Sequence, residues 1–233
     1  MGLSYLLTTE AGLFILFARV MVIFTATPVH EWAHARAAYA LGDDTAALQG
    51  RLDLNPFVHM DPVGSLLILL TGFGWAKPVP VRPTKFTRKV SLRGGVVLTS
   101  LAGPVSNLAM AFLLMLAAKL MALLVTLAAG APPQQMYIML NIMDMMAQIN
   151  IGLAVFNLMP IPPLDGYNVV SYVIPGKWDY KISQLMQAPF MRLLLLLVLI
   201  EVLSWPIGWL SGRLYSLFSF LTGFLDAVTA AVM

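Results

Sequence analysis

The chain has 233 residues, 59% of them hydrophobic and only 11% charged, against about 25% charged in an ordinary soluble domain. Its mean hydropathy is +0.82, which excludes a soluble enzyme and implies a mostly α, polytopic membrane helix bundle of about four to six spans. The net charge of +3 comes with no basic, aromatic-interleaved stretch, so nucleic acid is excluded as a partner, and the absence of Cys excludes disulfides and thiolate metal ligands.

Met1 to Glu10 carries no Lys or Arg and lacks a positive n-region, so no removable signal peptide is expected. Ala11 to Leu41 is long enough for a first span, with a kink expected at Pro28. Asp43 to Asp61 is polar, and the alternation from Ala47 to Leu54 suits a short strand or hairpin arm. His59 lies between the turn signals Asn55-Pro56 and Asp61-Pro62, as a loop histidine or a group near a metal. Val63 to Phe73 is apolar but too short to cross. The Gly- and Pro-rich stretch Gly72 to Val81 that follows predicts a partial helix turning into a re-entrant or extended segment against protein. The re-entrant or β region thus lies near residues 47–81, and its extended part offers an edge to a substrate strand.

Lys77, Arg82, Lys85, Arg88, Lys89 and Arg93 form the main basic cluster, which positive-inside bias places in the cytoplasm. Gly94 to Leu127 predicts a span with Ser100, Gly103 and Asn107 on one face, where small residues admit a neighbouring helix and Asn107 reaches across to it. The uncharged Ala128 to Gln135, with Pro132-Pro133, suits the opposite side. Met136 to Met159 predicts another span, its methionines serving as packing rather than as a copper site, with Asp144 and Asn150 unassigned. Lys177 and Lys181 mark a second cytoplasmic loop. Phe190 to Leu210 spans again, and Leu214 to Val232 is either a further span or an interfacial helix. The whole of 1–233 makes one membrane-embedded domain, with a core over about 11–170 and C-terminal helices over 189–232.

One stretch of the first span carries chemistry. In His30-Glu31-Trp32-Ala33-His34 the two histidines are four apart, hence on one helix face. That pair can hold a Zn²⁺ while Glu31 takes a proton from water. Ionisable groups inside a span are functional by default. Downstream, three prolines break the chain before Asp165-Gly166, and Asp165 is the best carboxylate for a third ligand. Charge bias puts the N-terminus outside and returns both His30/His34 and Asp165 to the cytoplasmic half of the membrane.

These residues resemble a known family. His30 to His34, Gly74-Trp75-Ala76-Lys77-Pro78-Val79-Pro80-Val81, Gly103-Pro104-Val105-Ser106-Asn107 and Asn157 to Gly166 together look like the site-2 proteases, peptidase family M50. The resemblance runs from the first helix to about Gly166. It implies one zinc ion on His30, His34 and Asp165, Glu31 as catalytic acid/base, and Asn157 as a catalytic polar group that helps hold the substrate carbonyl. Gly103 and Asn107 match the Gly-xxx-Asn element of its central helix. The chain has no room for a PDZ or CBS domain and no span before the zinc helix, so it is similar to the compact bacterial type. The implied activity is intramembrane proteolysis of transmembrane segments near the cytoplasmic face of the bacterial cytoplasmic membrane. The implied partners are the lipid bilayer and a membrane-protein substrate, such as an anti-sigma factor or a membrane-tethered regulator. A divalent-metal transporter is the alternative, since such proteins also place His and Glu at helical spacing in the membrane.

Overall fold

The computed structural model describes residues 3–72, 74–87, 90–130, 133–171, 174, 176–186 and 188–232, with side chains except at 3, 176–179, 183, 189–200 and 232. Phe73, Arg88, Lys89 and Pro132, and the side chains of Lys177 and Phe190, lie outside the described residues.

Among the described residues twelve α-helices follow one another: α1 Leu3–Thr8, α2 Glu10–Phe24, α3 Ala26–Ala40, α4 Thr45–Leu48, α5 Pro56–His59, α6 Pro62–Thr71, α7 Leu92–Ala129, α8 Gln134–Asn157, α9 Asp165–Val170, α10 Gly176–Leu185, α11 Pro189–Thr222 and α12 Phe224–Val232. Three stretches among the described residues are long and apolar enough to cross a bilayer: Glu10–Ala40, Leu92–Ala129 and Gln134–Asn157. The pair Glu201–Thr222 and Phe224–Ala231, bent by 47°, makes a fourth if it counts as one span. At 1.5 Å per residue α7 is roughly 57 Å long and overshoots a hydrocarbon core of about 30 Å.

Proline chemistry explains where the first span breaks. Pro28 has no N–H to give the carbonyl of Phe24, so the ladder fails a turn upstream. α2 ends at Phe24, Thr25 adopts a non-helical conformation, and its N–H turns to the Val22 carbonyl at 3.3 Å. α6 is the expected partial helix. Asp61 caps its first turn through the Gly64 N–H, Gly72 ends it at φ +86°, and Arg19 of α2 donates to the Leu69 carbonyl at 2.8 Å. A helix that stops short of crossing is thereby closed by a guanidinium from its neighbour.

The strand expected over 47–54 does not form, and no strand occurs among the described residues. Asp43 accepts the Thr45 N–H, the segment winds into α4, and Gly50 at φ +66° turns the chain so that the Arg51 N–H reaches the Ala46 carbonyl at 2.8 Å. The local Asp43 bond to the Thr45 N–H and the glycine outweigh a period-2 pattern of only eight residues. Residues 74–82 form neither helix nor strand, and bond to side chains and loops instead of to a β-ladder.

Small residues set the packing at the centre. Ala26, Ala35 and Ala38 of α3 and Ala111 of α7 have no exposed surface, so α3 and α7 approach closely. α8 closes the other side of α7, with Ala147, Ile151, Val155 and Phe156 in one core with Ala111, Met115 and Ile207. The methionines of α8 are divided: Met146 is in the core with Ala18, Val22 and Ala26, whereas Met139 is exposed. At the C-terminal end α11 continues through Thr222 rather than stopping near Leu210. α12 has only nine residues, too few to cross.

Candidate metal centre and active site

α3 presents His30, Glu31 and His34 from the inner face of the bundle, each 8% exposed. The third member comes from the break after α8. Leu158 caps α8, prolines at 160, 162 and 163 supply no N–H donors, and the chain turns through Ile161 N–H to Met159 carbonyl and Leu164 N–H to Ile161 carbonyl bonds. Asp165 then opens α9. A Cβ on Gly166 would collide with the Leu158 carbonyl, so only glycine lets this turn fold back so tightly.

The three side chains converge on a common point. His30 Nε2 and His34 Nε2 are 3.1 Å apart, and Asp165 Oδ2 is 3.2 Å from the first and 3.3 Å from the second. Ligands arranged tetrahedrally at about 2.0–2.1 Å from Zn²⁺ stand about 3.3–3.4 Å from each other. The hydrogen-bond chemistry gives an independent fit. His34 Nδ1 donates to the Thr99 carbonyl at 2.7 Å, and a carbonyl can only accept. His30 Nδ1 donates to Asn107 Oδ1 at 2.6 Å. With both protons on Nδ1, each neutral ring turns a bare Nε2 lone pair inward. Asp165 Oδ2, buried and without a hydrogen-bond partner, faces them. Three acceptors crowded together repel unless a cation lies among them, so this donor set suits a divalent metal.

Glu31 and Asn157 line the same cavity as the triad, a cleft of about 790 Å³ that also takes in Trp75 and Val79. Asn157 Nδ2 donates to the Leu153 carbonyl of its own helix at 3.0 Å, which holds its amide. The non-helical segment is strapped across this cleft. Val79 N–H donates to Glu31 Oε2 at 2.9 Å, Lys77 N–H to the His59 carbonyl at 2.8 Å, Arg82 N–H to Asp43 Oδ2 at 2.6 Å and Thr87 N–H to the Leu41 carbonyl at 3.0 Å. Burial pushes the Asp43 carboxyl up, but N–H bonds from Arg82 and Thr45 outweigh it and hold it below the usual carboxylate range.

His59 does not line the cleft. It is 1% exposed, its Nε2 donates to the Asp53 carbonyl at 2.7 Å, and its Nδ1 lies 3.5 Å from Arg51 Nη2. Arg51 donates to the Lys77 carbonyl at 2.6 Å. The two residues brace the strap from behind. Asn107 does reach the catalytic helix, as its position on α7 suggested. Sequence reasoning missed Thr99, Arg51, Asn150 and the Val79 contact. Thr99 and Val79 act through main-chain atoms, which leave no residue signature, and Arg51 sits in a polar stretch where a charge is ordinary; Asn150 is a polar residue inside an apolar span, and that was a usable signal.

Apolar spans enclosing a metal-type triad and an adjacent carboxylate define a membrane-embedded hydrolase class. The model of peptidase family M50 matches residues 84–200. YwhC of Bacillus subtilis (strain 168), named as a proposed zinc metalloprotease, is 41% identical over 194 residues, covering 80% of this chain and 84% of that protein. Rip2 of Mycobacterium tuberculosis (strain ATCC 25618 / H37Rv), with the same kind of name, is 31% identical over 211 residues, 87% of this chain and 73% of that protein. Rip2 of Mycolicibacterium smegmatis is 28% identical over 184 residues, 76% of this chain and 65% of that protein. No solved structure matches. The chain belongs to peptidase family M50.

Proposed function

We propose that this membrane zinc metalloprotease cleaves transmembrane segments of other membrane proteins, with His30, His34 and Asp165 holding one zinc ion and Glu31 as general acid/base. The observation that carries the proposal is the three inward-facing ligand atoms, 3.1–3.3 Å apart, beside Glu31 in one cleft between spans. Zinc bound there would supply Lewis acidity, bringing an attacking water's pKa towards about 7 and polarising the scissile carbonyl. Glu31 accepts the water's proton and passes it to the leaving amine. Its bond to Val79 engages one oxygen of the two. The Asn157 amide donates to the carbonyl oxygen as negative charge develops on it.

A substrate helix hides its carbonyls in its own hydrogen bonds, and each one freed in lipid costs several kcal/mol. The strap over 74–82 supplies non-helical backbone beside the nucleophile, against which an unwound strand pairs. Substrates with Gly, Pro or Asn near the cut are therefore preferred. Lys77, Arg82, Lys85 and Arg93 support a cytoplasm-facing cleft in a bacterial cytoplasmic membrane. The whole chain serves as one protease domain, its core over about 11–170. An anti-sigma factor or a membrane-tethered regulator has the architecture such a site takes. The transporter reading has less support, because the triad is the one cluster of potential metal ligands among the described residues.

The test is cleavage of a model transmembrane substrate in detergent with zinc, beside Glu31→Gln. Cleavage lost in the variant while zinc stays bound supports the proposal. Equal cleavage by both overturns the role of Glu31. If both bind zinc and neither cleaves, zinc flux into liposomes decides for the transporter.

A further inference from the structure

Asn150 lies seven residues upstream of Asn157 on α8, has no exposed surface and touches no ligand atom. Its bonds have a fixed direction. Asn150 Nδ2 donates to the Met146 carbonyl at 2.8 Å, so Asn150 Oδ1 must face the other way. There it accepts from Asn107 Nδ2 at 3.0 Å, which leaves Asn107 Oδ1 to accept from His30 Nδ1 at 2.6 Å. The relay joins α8, α7 and α3, and it starts at a main-chain carbonyl that cannot reverse. If the Asn107 amide flipped, its oxygen would meet Asn150 Oδ1 and its NH₂ would face His30 Nδ1. The ring proton would then move to Nε2, the atom that faces Asp165.

We propose that Asn150 is a positioning residue that sets the tautomer of His30 by locking the orientation of the Asn107 amide. The two histidines differ in this respect. His34 is keyed by the Thr99 carbonyl, which has one orientation. His30 is keyed by a side-chain amide, which has two, and the choice is made one helix further away. The other acceptor for Asn107 Nδ2, the Ala26 carbonyl, lies at 3.5 Å, the limit of bonding distance, and is too weak to fix the amide alone. The bland alternative is that the two asparagines merely glue α7 to α8 in the membrane. That alternative leaves the His30 proton unmoved when Asn150 is replaced. The consequence for metal affinity rests on the proposed His30–His34–Asp165 site; the consequence for the tautomer does not.

The test uses the whole protein in detergent, labelled with ¹⁵N at its three histidines. Spectra are taken zinc-free at alkaline pH, where the rings are neutral and the bare and protonated nitrogens separate. In the native protein His30 and His34 should both carry the proton on Nδ1. In Asn150→Leu, and in Asn150→Ala should the leucine variant not fold, His30 should become a mixture of tautomers while His34 stays unchanged. Asn150→Asp should restore the native pattern, since it offers Asn107 Nδ2 an acceptor in either protonation state. Zinc affinity, read against a chelator, should fall about 10-fold in Asn150→Leu, the low end for loss of a residue behind a ligand. An unchanged His30 tautomer in the leucine or alanine variant overturns the proposal, whatever happens to stability. If His30 responds as expected but His34→Ala and Asp165→Ala bind zinc like the native protein, the relay stands and the metal site proposed above is wrong.

Discussion

Gly103 offers the sharpest single-atom test of the metal centre. It sits on α7 facing the two imidazoles. A Cβ built there would stand 2.6 Å from both Cε1 and Nε2 of His30, and closer still to His34 Nε2. Ordinary contact begins at about 3.4 Å, so Gly103→Ala needs His30 to retreat by about 0.8 Å or more. Neither ring is free to do so, because Nδ1 of each is tied, to Asn107 at 2.6 Å and to Thr99 at 2.7 Å. The tolerance on a metal–ligand distance is about 0.2 Å. The methyl group therefore removes at least one good ligand. Zinc affinity should fall by at least about 100-fold, or roughly 2.8 kcal/mol at 1.4 kcal/mol per decade, with proteolysis lost alongside. The assay is chelator competition for zinc in detergent, with circular dichroism to show that the helices persist. A folded Gly103→Ala protein with native zinc affinity would refute the placement of α7 against the triad.

The remaining expectations concern the strap and the substrate. Arg51→Met strips the donor from the Lys77 carbonyl and should cost about 1–3 kcal/mol, seen as a Tm lower by about 2–4 °C per kcal/mol; a native Tm would show that the brace carries no weight. Asp43 binds its proton less readily folded than unfolded, so its contribution to stability is complete above the ordinary carboxylate value of 3.8 and is lost as pH falls through the lower folded value. Asp43→Asn should therefore be less stable than the native protein near neutral pH, with the gap closing in strong acid; a gap independent of pH would contradict the assigned cause. Replacing the helix-breakers of a substrate span with Leu should slow cleavage, and equal rates would remove unwinding from the proposed mechanism.

The parts of this molecule that were legible in its sequence are those written in local spacing. His30 and His34 share a face because a helix repeats every 3.6 residues, and the half-crossing α6 followed from too few apolar residues before Gly72. Asp165 was legible only in combination, since an aspartate before glycine is usually a turn. What escaped depends on contacts between distant segments. Asn150 and Asn107 are 43 residues apart, and nothing near either one names the other. The error at 47–54 has a local cause: eight alternating residues fit an arm of a hairpin, but an aspartate upstream that holds the Thr45 N–H and a left-handed glycine inside the stretch decide for a helical turn. The C-terminal helices were divided at the wrong place because Gly208 and Gly212 are tolerated inside α11, whereas the break falls at Gly223.

The strap is tied to α3 and to the turn that follows it. Glu31 on α3 and Asp43 just beyond the helix accept two of its N–H groups, and Leu41 accepts the Thr87 N–H further along the chain. The strap, His30 and His34 therefore share α3 as a support, whereas Asp165 is held by the turn that opens α9. A substrate strand laid along this strap is measured from its own backbone. Because alternate residues of a strand face the same way, sliding the substrate to its next equivalent register shifts the cut by two residues. Under the proposed function the enzyme would then be a ruler with a two-residue graduation, and its products should differ in length by even steps.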